Sequence, residues 1–233
     1  MLKVEQIETF YGSSQALFGV SLEVRAGEVV TLLGRNGMGK STTIKSIMGL
    51  TPVTRGRITF NDVETQHLPS YQVARQGLGL VPEGRQIFPN LTVLENIMVG
   101  AANRGGRKEP YTLDEVLEIF PRLAERLKNY GNQLSGGEQQ MLAVVRALMT
   151  TPKLLILDEA TEGLAPLVRK EIWYGLSVLK ARGQSILVID KNLDALMKLA
   201  DRHYVMERGA VVWSGETDEI ADNEELKARY LGV

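Results

Sequence analysis

Residues Gly34, Arg35, Asn36, Gly37, Met38, Gly39, Lys40 and Ser41 form a complete G-x-x-x-x-G-K-S phosphate loop. The loop follows the apolar run 29–33 and precedes the helix-compatible run 42–48, so strand, loop and helix stand in the order the motif needs. Glycines let the backbone curl until successive N–H groups point at phosphate oxygens. Lys40 then reaches the β- and γ-phosphates, the Ser41 hydroxyl ligates Mg²⁺, and the opening helix adds its positive end. The plain alternative, a Gly-rich turn with a surface lysine, does not account for the flanking strand and helix. The sequence therefore predicts an α/β chain that binds a nucleoside triphosphate.

Composition narrows the setting. A chain of 233 residues can bury one sizeable core with a smaller attached subdomain. The net charge of −1 gives no support to nucleic-acid binding. Cysteine is absent, which excludes disulfides and thiolate metal sites and fits a reducing compartment. The first eight residues carry charges where a signal peptide needs an apolar stretch. No window approaches the roughly 18 uninterrupted apolar residues of a membrane span. Work at a membrane would require another subunit to hold the chain there.

The region before the loop reads as strands and turns. Leu2, Val4, Ile7 and Phe10 alternate loosely, and 20–24 alternates strictly. Residues 57–60 followed by Asn61-Asp62 read as an edge strand and turn. Residues 78–81 predict a short buried strand. The continuous apolar runs 154–157 and 186–189 suit parallel strands buried on both faces. Between 81 and 154, apolar residues at 113, 116, 117, 120 and 123, and at 141, 142, 145 and 148, fall at helical spacing. Residues 103–108 read as a polar, flexible connector. No repeat is evident.

The strand 154–157 ends in Asp158-Glu159. If it emerges beside the loop, Asp158 reaches the Mg²⁺ held by Ser41, and Glu159 can polarise an attacking water. Both acids could instead cap the helix starting near Pro166. Leu134, Ser135, Gly136, Gly137, Glu138 and Gln139 open another helix, with Ser135 as N-cap. Its exposed N–H groups make a second anion site, suited to a neighbouring subunit's γ-phosphate; from the residues alone an ordinary N-cap remains open.

In order and spacing, the loop 34–41, the stretch 134–140 and the strand end 154–159 resemble the ATP-binding cassette (ABC) ATPases over about residues 2 to 231. The resemblance implies an α/β fold with a mostly parallel P-loop NTPase core, an N-terminal antiparallel β region and an inserted helical subdomain. It divides a single domain, 1–233, into a core of 1–83 and 151–233 and a helical part at 84–150. It also implies ATP and Mg²⁺ as cofactors, and a head-to-tail pair of ATPase subunits of the same or different chains. Leu134 to Gln139 would close over the partner's ATP, with Ser135 and Gly137 contacting its γ-phosphate, while Thr42 completes the chain's own loop. Tyr11 matches the aromatic that stacks on adenine. Within the family, residues 11–17, 81–89 and 163–167 are similar to the smaller ATPase of branched-chain amino acid importers, a group that includes importers of urea, amides and aromatic carboxylates. The implied partners are transmembrane permease subunits at the cytoplasmic face of the inner membrane, docked in a groove at 84–96 near Arg85, Phe88, Pro89 and Leu91. A periplasmic or extracellular solute-binding protein would act indirectly.

Three positions depart from the common ABC pattern. Glu83 stands where Gln is usual; it can bind Mg²⁺ but donates no hydrogen bond when ionised. Ala165 replaces an aspartate. Lys191 stands where a histidine usually touches the γ-phosphate; it is expected to hold that phosphate, with solvent exposure as the alternative. His67 and His203 match no catalytic position, and Trp173 and Trp213 read as packing residues. A soluble ABC ATPase of chromosome organisation would need a long coiled coil between Lys40 and Ser135, which is absent. A translation-associated ABC protein would need two cassettes. A GTPase would need Asn-Lys-x-Asp, which 191–194 reverses at its first two positions.

Overall fold

A computed structural model describes residues 1–221, 223, 225 and 228. The other residues of the expected core, and of the resemblance, lie outside those described. In chain order, β1 (Leu2–Tyr11), β2 (Ser14–Val24) and β3 (Val29–Leu33) lead into α1 (Lys40–Ile47). Then come β4 (Val53–Phe60), β5 (Val63–Glu64), α2 (Ser70–Arg75) and β6 (Leu78–Val81). Four helices follow, α3 (Val93–Val99), α4 (Leu113–Ile119), α5 (Pro121–Ala124) and α6 (Gly136–Leu148). The chain continues through β7 (Leu154–Asp158), α7 (Pro166–Ala181), β8 (Ser185–Ile189), α8 (Leu193–Leu199), β9 (Arg202–Glu207), β10 (Ala210–Glu216) and α9 (Thr217–Ala221).

Two sheets result. The N-terminal one is antiparallel, in the order β2-β1-β4-β5. The other runs β10-β9-β3-β8-β7-β6, parallel except for the β9–β10 hairpin. The strand expected at an edge, 57–60, belongs to β4 and lies inside its sheet; the two-residue β5 takes the edge. Asn61 and Asp62 make the connecting turn at φ 46° and 66°, which their short polar side chains tolerate.

The period-two alternation of a strand explains the continuous apolar runs. Val30, Leu32, Leu154, Ile156, Leu187 and Ile189 face the antiparallel sheet and α1. Val29, Leu33, Leu155, Leu157, Ile186 and Val188 face the other way, toward the helices of 93–148 and α7 and α8. Those helices and the sheet share one apolar cluster, with Val93, Ile97, Val116, Phe120, Met141 and Val145 buried in it. The connector 103–108 is stitched down, not loose. Arg104 and Gly105 donate their N–H groups to Thr150 and Thr151 at 3.0 Å each, and Asn103 Nδ2 bonds Arg107 O at 2.8 Å. Backbone groups beside a buried helix end need partners, and this segment supplies them.

Trp173 and Trp213 pack partly buried against the larger cluster. His67 is exposed. His203 is fully buried between Thr31 Oγ1, at 2.6 Å, and Thr217 Oγ1, at 2.9 Å. Burial holds its imidazole down at about 4 despite the nearby Asp201 charge, so it is neutral in the fold. Among the described residues no helix is long and apolar enough to cross a membrane.

Candidate nucleotide site

The loop 34–39 leaves the buried end of β3 and turns into α1. Gly34 has φ +135°, and a Cβ there would lie 2.4 Å from the Met206 carbonyl oxygen, so glycine alone fits. The turn between β9 and β10 braces the loop from outside: Gly209 N donates to Met38 O at 3.0 Å and Arg208 N contacts Met38 Sδ at 3.2 Å. Arg35, Asn36 and Gly37 are exposed at the crown, and Gly39 is the left-handed N-cap of α1. Lys40 is buried, and its ammonium donates to Gly34 O at 2.8 Å and Arg35 O at 2.9 Å. Burial lowers its pKa, while the carboxylates of Glu159 and Asp158 oppose that shift.

β7 does not emerge beside β3, because β8 lies between them. Asp158 still reaches the loop, since α1 packs against β7 and carries Ser41 across. Ser41 Oγ donates to Asp158 Oδ1 at 3.0 Å. Burial raises the Asp158 pKa against the Ser41 hydrogen bond, and the Glu83 charge raises it further. The Lys45 and Lys40 charges oppose the rise. Ser41 and Asp158 present oxygen atoms there, the donor type that Mg²⁺ takes, and the Glu83 charge is felt at Asp158. Among the described residues no three carboxylate or histidine side chains converge closely enough to hold a metal by themselves.

Glu159 and Asp158 do not cap α7; Ala165 stands at that N-cap. Glu159 follows Asp158 at φ +57°, a conformation costly for a non-glycine residue. Its carboxyl shares a hydrogen bond with Glu162, which with partial burial and the charges of Glu162 and Glu83 pushes it up to about 7. The hydrogen bonds from Glu159 and Lys191 hold Glu162 below the ordinary range. Lys191 is exposed, and its Nζ forms an ion pair with Glu162. Beneath them, Thr161 N and Oγ1 donate to Asp190 Oδ2 at 2.7 and 2.8 Å, in buried surroundings. The loop 159–163 is thereby tied to the loop 190–192.

A cleft of about 480 Å³ lies over the phosphate loop, walled by Ala16, Phe18, Thr42, Glu159 and Arg208. Tyr11 is half exposed at the end of β1 and does not line it. Burial would raise its pKa, but hydrogen bonding with Thr42 and Thr51 and the Lys45 charge bring it below the usual value, so it adjoins the cleft through Thr42. Phe18, half exposed, is the ring that does face the cleft. Phe18 was hidden in sequence by the alternation of its strand. Glu162 was legible only as one more acid three residues beyond Glu159.

The stretch 134–139 lies outside that cleft. Ser135 caps α6 with a reciprocal box: its N–H and hydroxyl donate to Glu138 Oε2 at 2.8 and 2.7 Å. Burial would raise the Glu138 carboxyl, but the Ser135 hydrogen bonds and Arg126 bring it below the usual value. Leu134 is buried and Ser135 exposed. A Cβ on Gly137 would lie 2.4 Å from Val168 Cγ1, so glycine brings α6 against α7. The Arg85 guanidinium lies over Gly136 and donates to Gln139 Oε1 at 3.3 Å. Arg146, also on α6, donates to Gln86 O at 2.6 Å and lies over the Phe88 ring, 5.0 Å from its centroid. Glu83, Phe88 and Pro89 are exposed and Leu91 is half-buried. With Leu94, Met98, Val99 and Tyr130, Phe88 adds to the exposed large apolar residues of this region.

A family model of the ABC transporter matches residues 17–162. The high-affinity branched-chain amino acid transport ATP-binding protein BraG of Pseudomonas aeruginosa is 41% identical over 232 residues, covering 100% of both chains. The lipopolysaccharide export system ATP-binding protein LptB of Haemophilus influenzae is 32% identical over 235 residues, covering 100% of this chain and 97% of that one. A solved nucleotide-free ATP-binding cassette from an ABC transporter superposes with a TM-score of 0.84 at 29% identity, covering 97% of this chain and 96% of that one. With the phosphate loop, the strand-end carboxylates and the capped α6 on one such fold, this chain belongs to the ABC transporter family as an ATP-binding subunit.

Proposed function

We propose that this chain binds and hydrolyses ATP to power an importer for branched-chain amino acids or related small amide or carboxylate solutes. The observation that carries the chemistry is the meeting of Lys40, Ser41, Asp158 and Glu159 at one corner of the cleft. The loop N–H groups and Lys40 bind the phosphates, and the ammonium exchanges its two backbone carbonyls for phosphate oxygens. Ser41, Asp158 and Glu83 would hold Mg²⁺, which would neutralise phosphate charge when bound. Glu159, ionised, accepts a proton from the attacking water. Lys191 contacts the γ-phosphate. Tyr11 or Phe18 offers the adenine a ring face, which stacks without reading base edges.

The stretch Leu134 to Gln139 serves the ATP of a second ATPase subunit, of the same or a different chain. A permease helix docks on the loop 84–96, whose Arg85 and Gln86 contacts run directly to α6. The chain then sits at the cytoplasmic face of the membrane, peripheral through the permease, and a solute-binding protein acts on the far side. The core of 1–83 and 151–233 carries the nucleotide, and 84–150 carries the docking surface.

The full-length likeness to the branched-chain transport relative supports the solute class, and its 41% identity exceeds the 32% to the export relative. Uptake of labelled leucine by proteoliposomes carrying the complex that copurifies with this chain tests the reading. ATP-dependent leucine uptake is expected. Copurification with a lipid-export permease and no solute uptake would reject it.

A further inference from the structure

Lys191 stands opposite the phosphate loop. It shares a cleft of about 410 Å³ with Gly34, Arg35 and Asn36, and its charge is felt at both Lys40 and Glu159. Its ammonium is nonetheless taken by the Glu162 carboxylate. Both partners are well exposed, 53% and 42% at their side chains, so water competes for the pair and it is easily exchanged. The anchor beneath is different in kind. Asp190 accepts two hydrogen bonds from Thr161 and a third, at 2.8 Å, from Asn192 N, and Asp190 and Thr161 are buried. The base of the two loops is fixed while their tips are joined by an exchangeable contact.

We propose that Glu162 is a positioning residue for Lys191: in the free subunit it competes with the terminal phosphate of ATP for the lysine ammonium, so ATP must displace it. This inference rests on the nucleotide site proposed above and adds a regulation to it. A triphosphate carries more negative charge than one carboxylate and draws Lys191 across the cleft. The freed Glu162 then keeps only the hydrogen bond that it shares with Glu159. A diphosphate lacks the terminal group that pulls on Lys191, so it leaves the pair intact. Glu162 thereby lowers the site's preference for ATP over ADP through a residue that touches neither.

The test is equilibrium binding, by calorimetry, of Mg²⁺ with the imido analogue of ATP and, separately, with ADP, using the purified full chain and circular dichroism to check folding. Glu162→Gln is expected to tighten the triphosphate analogue about fivefold, the scale of an exposed ion pair, and to leave ADP unchanged. In a Lys191→Met background the same substitution is expected to change neither. An equal shift for both nucleotides, no shift, or a shift that persists without Lys191 would overturn the inference while leaving the nucleotide site standing. Failure of the unaltered chain to bind either nucleotide would overturn both.

Discussion

Ser41 Oγ and Asp158 Oδ1 meet at 3.0 Å although β8 separates the strands that lead to them. The contact depends on α1 packing against β7, and in the proposed site it places two oxygen donors where Mg²⁺ would bind. Asp158→Asn keeps the shape and removes the charge. It is expected to weaken Mg²⁺-dependent ATP binding about tenfold or more, the scale of losing one charged ligand, with little change in EDTA. Calorimetric titration with and without Mg²⁺ reads this.

Gly137 has a role within its own chain. Its missing Cβ leaves room for Val168 Cγ1, which would otherwise lie at 2.4 Å. Gly137→Ala is expected to destabilise the protein by about 1–3 kcal/mol through overpacking. Adding Val168→Ala should recover part of the melting temperature, measured by thermal denaturation.

His203 gives a pH signature. Its folded pKa, about 4, lies below the ordinary value of 6.5, so between those pH values the unfolded chain binds more protons. Its contribution is complete above about pH 6.5 and is lost as pH falls toward 4, on the order of 3 kcal/mol in all. Urea unfolding at pH 7, 5.5 and 4.5 should show that loss, and it should be much smaller in His203→Gln.

Arg85 and Arg146 fasten the loop 84–89 to α6 at two points. Arg85→Ala removes one fastening without touching the cleft over the phosphate loop. Permease-stimulated ATP turnover is expected to fall severalfold more than turnover of the isolated chain, in parallel steady-state assays.

Several strands and the loop were legible in the sequence because local rules decide them: 154–157 and 186–189 are apolar on both faces, and Gly34 and Gly39 punctuate a strand-to-helix turn. The capping pairs Thr92–Glu95, Thr112–Glu115 and Ser135–Glu138 follow the same local logic. What escaped depends on long-range placement. No local pattern tells that β8 comes between β3 and β7, that β4 is internal, or that Phe18 faces the cleft. The pairing of Lys191 with Glu162 joins residues 29 apart in sequence. Their meeting is set by the buried Thr161–Asp190 contact, which no spacing rule encodes.

Glu159 is the proposed base of the ATPase. Steady-state phosphate release by the purified chain with its copurifying subunits, compared with Glu159→Gln, tests it most directly. The account expects turnover to drop by about 100-fold or more, as loss of a general base does, with ATP binding retained. Turnover within twofold of the unaltered complex would contradict it.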